Sequence, residues 1–346
     1  MRIGLSVGAG GMGGSPIAAL AVVPEAEQLG FESVWVGEAY GADAVSSMAW
    51  LAAHTERMRL GTSVMQMVAR TPAMTGMTAA GLDQVSGGRF VLGLGTSGPQ
   101  VAEGWHGVSF DRPVARSREY VDVVRAVLAR EVVTYEGRHF RLPLPDGAGK
   151  PLKLATSTVQ DRVPIYLAAM GPKNIELTGE IADGWLPILF SPEHAGIFRR
   201  SLEAGAARAG RDVGEVAMTP MVSIVVTDDV DAGRDALRPF LALYIGGMGS
   251  RENNFYLNLV AEYGFEENAR KVQDLYLAGS KREAEAAVGT ELIDALTIVG
   301  PAAVVAERLT AYADAGIETM VFNSAPGIGV EAHRAQLRAL AEAASL

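Results

Sequence analysis

A (β/α)8 TIM barrel with insertions is the fold this sequence predicts, and three observations predict it. Short apolar, β-branched runs alternate with helical segments eight times along the chain. At 346 residues the chain is long for one small domain and ordinary for a barrel of this kind. Hydrophobic residues make up 49% and charged residues 20%, enough apolar material for a sheet buried on both faces. We expect one domain over residues 1–346, since no linker divides the chain.

Ile3–Val7 reads as the first strand and Pro16–Leu29 as the first helix, with Ser15 at its N-cap and Gly30 as its stop. Ser33–Gly37 and Asp43–Thr55 form the second strand and helix, Arg59–Val64 and Pro72–Val85 the third. Gly87-Gly88 breaks that helix, and Phe90–Leu94 follows as a fully buried fourth strand. Arg116–Arg130 is amphipathic, with Tyr120, Val123, Val124, Val127 and Leu128 on one face. The rhythm breaks over 132–163, where 134–140 reads as a hairpin and the proline-rich Leu142–Leu154 as a surface excursion. It resumes with a fifth strand at Pro164–Ala169 and a helix at Lys173–Ala182, then a sixth strand at Gly184–Leu189 and a helix at Glu193–Ala209. Ala217–Thr227 is a long seventh strand, and 228–290 a mostly helical insertion interrupted at Gly246–Gly249. Ala302–Ala315, the eighth strand Thr319–Asn323 and Glu331–Ala344 complete the chain.

Composition narrows the function. The formal charge is −10, from 40 acidic and 30 basic residues without a basic cluster, which argues against nucleic acid and anionic membranes as partners. With no cysteine, disulfides, thiolate nucleophiles and cysteine-ligated metals are excluded. The N-terminus runs straight into a strand pattern and no apolar run reaches membrane-spanning length, so a soluble, cytoplasmic protein is expected. Of five histidines only His106 falls near a strand end, too few for a metal-dependent hydrolase, and no metal is expected.

In such barrels the site lies at the C-terminal ends of the strands. Those ends carry Gly8-Ala9-Gly10, Glu38-Ala39-Tyr40, Ser63-Val64-Met65-Gln66, Gly95-Thr96-Ser97-Gly98 and Ala169-Met170-Gly171-Pro172-Lys173-Asn174. Most are small and few are ionisable, which suits a flat aromatic cofactor over a glycine-lined floor. Gly8-Ala-Gly-Gly-Met-Gly13 matches G-x-G-x-x-G, but Ser15-Pro16 starts the helix after Gly13, leaving that glycine in the loop rather than in the helix where dinucleotide binding needs it. Gly171-Pro172 stands at a helix start, where backbone N–H groups and the helix dipole favour a phosphate, with Lys173 adding charge.

The run GGRFVLGLGTSGPQVAEGWHG at Gly87–Gly107, with Ser33–Gly41, Leu60–Ala73 and Pro164–Pro187, resembles the bacterial luciferase-like monooxygenase superfamily, in its coenzyme F420 (deazaflavin) branch. The resemblance covers essentially the whole chain and implies hydride transfer between deazaflavin C5 and a small organic substrate, in a homodimer. An FMN-dependent two-component monooxygenase and a non-catalytic flavin-binding protein are the alternatives the superfamily also contains. The resemblance further implies a non-prolyl cis peptide at Ser63-Val64 behind the ring, a cofactor tail along Gly95–Gly98, and a phosphate at Met170-Gly171-Pro172. Gly8 would line the mouth, and Glu38 would stand beside the deazaflavin. The family's alcohol and sugar-phosphate dehydrogenases carry a histidine after that acid, where this chain has Ala39-Tyr40. The sugar-phosphate enzyme also has a fourth-strand-loop glutamate, where this chain has Pro99-Gln100, so both substrates are disfavoured. Glu38, Tyr40 and His106 are therefore the catalytic candidates. Glu38 has no basic neighbour in sequence, so partial desolvation should raise its pKa and suit it to proton donation, unless another loop pairs with it. A helix-capping or salt-bridge role is the alternative for Glu38, a wall position for Tyr40 and a loop-fixing one for His106.

Overall fold

The computed structural model describes residues 1–8, 20–249, 251–252 and 254–346. Thirteen strands are present among them: β1 (Arg2–Ser6), β2 (Ser33–Val36), β3 (Arg59–Thr62), β4 (Met65–Gln66), β5 (Phe90–Gly95), β6 (Tyr135–Glu136), β7 (Arg141–Leu142), β8 (Ile165–Ala168), β9 (Gly184–Trp185), β10 (Ala217–Met218), β11 (Met221–Val226), β12 (Thr297–Gly300) and β13 (Thr319–Asn323). All but the β6–β7 hairpin join one parallel sheet.

The sheet runs β10-β9-β8-β5-β3-β2-β1-β13-β11-β12. β10 and β11 are two halves of the expected seventh strand, separated by Thr219-Pro220. Proline donates no hydrogen bond, so the ladder changes partner there: β10 pairs β9, and β11 pairs β13. Pro220 still accepts from Val321 N, and Met221 N donates to Pro187 O, so the seventh strand touches both neighbours and the eight-stranded barrel closes. The sixth strand is shorter than expected because Pro187 interrupts it, with Ile188 bridging Met221 beyond the break.

The helices follow the expected order. Asp43 caps Ala44–His54 by accepting from Ser46 N, Thr71 caps Pro72–Val85 by accepting from Met74 N, and Gly30 takes a positive φ after Val23–Gln28. Ser15, Pro16 and the Gly8–Gly13 run beyond Gly8 lie outside the described residues. The helix expected from Arg116 begins at Pro113, whose ring suits the first helical turn. The insertion after β11 holds helices at Val230–Ala242, Phe255–Val260, Glu266–Leu277, Lys281–Ala287 and Thr290–Leu296. It ends not at 290 but in β12, a strand the sequence reading missed. Thr-Ile-Val-Gly follows the last helix without a break and pairs β11 from Ser223↔Thr297 to Val226↔Gly300.

The barrel interior is packed rather than open. Trp35, Val91, Tyr166, Leu186 and Val321 fill it, with Trp35 and Tyr166 tilted at 5.8 Å. Glycines face these rings: a Cβ on Gly61 would lie 2.2 Å from Trp35, and one on Gly184 2.7 Å from Tyr166. Each fully buried large side chain contributes about 1.5–3 kcal/mol of transfer free energy, so these glycines serve ring packing. No helix among the described residues is long and apolar enough to cross a membrane.

Candidate functional site at the C-terminal mouth

The third strand carries the feature that shapes the mouth. Gly61 pairs Val91 and Met65 pairs Leu94, so four steps on β3–β4 span three on β5, a one-residue bulge. The Ser63-Val64 peptide within it is cis. Three glycines make room for it: a Cβ on Gly37 would lie 2.6 Å from Ser63 O, one on Gly93 1.7 Å from Thr62 O, and one on Gly95 2.6 Å from the Val64 side chain. The glycine-rich strand ends thus admit the neighbouring backbone first, and leave a floor only as a consequence. Ser63 Oγ and Gln66 Oε1, beside the bulge, are buried without a hydrogen-bond partner among the described residues.

Glu38 follows β2 and is drawn into this bulge. Its backbone N donates to Val64 O at 3.1 Å, and Gln66 Nε2 donates to the carbonyls of Glu38 and Ala39 at 3.0 and 2.9 Å. The carboxylate accepts from Gln66 N and from Ala44 N, both at 2.9 Å, the latter at the first turn of the second helix. Arg70 donates to both carboxylate oxygens. The expected lone, desolvated carboxylate is therefore corrected: a basic partner arrives from the loop after β4. Four donors surround the carboxylate: Gln66 N, Ala44 N and both terminal nitrogens of Arg70. Arg70 is held in turn, because the Tyr120 hydroxyl donates to Arg70 O at 3.2 Å and pairs with Thr75 Oγ1 at 2.5 Å. Burial pushes the Tyr120 phenol up to about 12, with the Thr75 hydrogen bond opposing it. The run that predicted the bulge contains Gln66 and Arg70, yet nothing in sequence spacing aims either at Glu38.

The remaining candidates ring the mouth. Gly8 follows β1, and among the described residues nothing stands within 4 Å of where its Cβ would be. Gly95 pairs Gln66 across the sheet, and Thr96, Ser97 (φ 61°) and Gly98 follow, Gly98 starting the short Pro99–Ala102 helix. His106 lies beyond that helix, its N donating to Val101 O and its Nε2 buried without a partner among the described residues. Met170 packs at the core edge, and Gly171 and Pro172 begin the helix Pro172–Ile181. The preceding loop is held by Trp185 Nε1 donating to Ala169 O at 2.8 Å. Lys173 departs from expectation: its ammonium is taken by Glu176, one turn along.

Tyr40 projects into solvent beside Tyr244 of the insertion, whose hydroxyl pKa is raised by burial first and by Tyr40 second. A cleft of about 490 Å³ lies at the opposite end of the barrel among Arg125, Arg162 and Val163. Both arginines pair with Asp183, which also accepts from Ile165 N, so that end serves the fold rather than chemistry.

The luciferase-like monooxygenase family profile matches residues 2–319. A Mycobacterium tuberculosis protein provisionally described as a coenzyme F420-dependent oxidoreductase is 44% identical over 93% of this chain and 94% of its own. The 5,10-methylenetetrahydromethanopterin reductase of Methanolobus tindarius is 30% identical over 87% of this chain and 88% of its own. The structure of the coenzyme F420-dependent tetrahydromethanopterin reductase from Methanopyrus kandleri superposes with a TM-score of 0.83 at 22% identity, over 99% of this chain and 97% of its own, which establishes the shared fold.

Proposed function

Because the chain belongs to the luciferase-like monooxygenase family, we propose that it is a coenzyme F420-dependent oxidoreductase acting on a carbonyl, imine or activated C=C carbon of a small organic substrate. The 44% identical relative described in the same terms supports the cofactor. The observation that carries the reading is the pair of buried polar atoms, Ser63 Oγ and Gln66 Oε1, that have no hydrogen-bond partner among the described residues at the third-strand bulge. A hydroxyl and an amide oxygen there suit the polar edge of a planar heterocycle, whereas leaving both unpaired is costly. When bound, coenzyme F420 supplies two-electron hydride chemistry at C5 of its deazaflavin ring.

The chain's own residues supply position and a proton. Val64 and Gly95 back the ring, Gly8 and Thr96–Gly98 border its tail, and the N–H groups after Gly171 face its phosphate. Glu38, fixed by Arg70, Gln66 and Ala44, is a positioning residue that ties the second strand end to the bulge. The Tyr40 hydroxyl delivers the proton that a reduced carbonyl oxygen requires, with His106 in reserve. We further infer a homodimer.

Titrating the purified chain with F420 and with FMN, by quenching of protein fluorescence, tests the assignment. F420 binding at least tenfold tighter is expected. Equal or tighter FMN binding would move the chain to the two-component monooxygenases.

A further inference from the structure

Most cations around the mouth are already paired: Arg70 with Glu38, Lys173 with Glu176 and Arg251 with Asp274. Arg116, on the first turn of the helix Pro113–Leu128, has no ion pair among the described residues. Its Nη1 donates to Ser109 O at 3.0 Å, its guanidinium carbon stands 5.7 Å from the centre of the Phe140 ring, and its Nε is buried without a partner there. Acids on the flanking elements are engaged elsewhere. Glu103 accepts from Phe110 N, and Glu119 from the N–H groups of Arg138, His139 and Phe140. Residues 9–19, Ser250 and Asn253, outside the described set, include no acid.

Arg116 and Ser109 line a narrow cleft together with Met67 and Val68, just past the third-strand bulge, and Thr96, past the fourth strand. The cleft has room for a group about the size of a water molecule, so it admits the end of a ligand and not a ring. Asp111 also lines it, but its side chain is 64% exposed and lies 3.9 Å from Arg112. Ser109 Oγ accepts from Asp111 N at 3.2 Å and keeps its own proton to give. A guanidinium partly withdrawn from water without a counter-ion is costly, and apolar walls such as Met67 and Val68 strengthen its attraction for any anion that reaches it.

We propose that this cleft is an anion subsite, in which Arg116 Nε–H and the Ser109 hydroxyl hold an oxygen of a carboxylate or phosphate at the end of a bound ligand. The oxyanion belongs to the substrate or to the cofactor's tail. That choice rests on the oxidoreductase reading, whereas the subsite itself stands without it. Calorimetric titration of the apo chain with sodium phosphate, at constant ionic strength, should show saturable binding. Arg116→Gln should weaken it tenfold or more, and Arg116→Lys, which keeps the charge but not the planar fork, by about threefold. Ser109→Ala, at an exposed position, should weaken it threefold or more and serves if the Arg116 variants do not fold. F420 bound tenfold weaker by Arg116→Gln assigns the anion to the cofactor's tail, and unchanged F420 affinity assigns it to the substrate. Absence of phosphate binding, or folded Arg116→Gln and Ser109→Ala variants with full phosphate affinity, would overturn the proposal. Failure of F420 to bind, with Arg116-dependent phosphate binding intact, would instead sink the cofactor reading and leave the subsite standing.

Discussion

Replacing Glu38 by glutamine should weaken the fold more than the chemistry. The Glu38 side chain is 6% exposed and that of Arg70 17%, so the pair is largely out of water. Removing one member of a buried ion pair costs about 3–5 kcal/mol, chiefly because the other charge stays buried and uncompensated. The Gln amide also turns an N–H toward Arg70 or toward Ala44 N, where an acceptor is needed. Arg70 retains some access to solvent, which puts the cost at the lower end, about 3 kcal/mol. At about 2.1 cal/mol/K per residue, 346 residues unfold with an entropy of about 0.7 kcal/mol/K, so Tm should fall by about 4 °C. In a double-mutant cycle, adding Arg70→Gln should cost much less in the Glu38→Gln background than alone, a coupling of about 2 kcal/mol. The assay is calorimetric melting of the four proteins, with turnover per folded enzyme once a substrate is in hand. Additive melting losses would refute the pairing argument. An unchanged Tm with turnover down by about 10²-fold, the scale of general acid–base assistance, would return Glu38 to the proton-transfer step.

Three further outcomes follow from the geometry. Gly37→Ala should push the bulge away from β2, since its Cβ would lie 2.6 Å from Ser63 O; F420 affinity should fall at least tenfold, and unchanged affinity would show that the bulge is not the ring's support. Burial alone would raise the Glu193 carboxyl, but the Arg308 guanidinium and the Ser191 hydroxyl bring it down to about 2. A lowered carboxylate pKa contributes stability above its unfolded value of 4.5 that is lost as pH falls toward 2, so Arg308→Gln should flatten the decline of Tm across that window, and an unaltered slope would discount the pair. Trp50, Met74 and Met77 leave apolar surface on two adjacent helices, Ala44–His54 and Pro72–Val85, so light scattering should find a dimer that Met77→Glu dissociates; a monomeric parent would refute this face as an interface.

Much of this protein is written in local sequence. Strand and helix order follow from hydrophobic periodicity and from caps such as Asp43, Thr71 and Gly30, because each is satisfied within a few residues of itself. The third-strand bulge was readable through the match of Ser63-Val64 to a family pattern, and the structure has the cis peptide there. Partners far apart in the chain were not readable. Arg70 reaches Glu38 across 32 residues and Tyr120 reaches Arg70 across 50, contacts that no spacing rule encodes. β12 was hidden because four apolar residues after a helix look alike as helix end or as strand until β11 offers a ladder. Tyr263 and Phe255 of the insertion read in sequence as ordinary helix residues. Only the barrel's closure, which brings the fifth and sixth strand ends together, sets Tyr263 on Leu189 O and Phe255 beside Gly171.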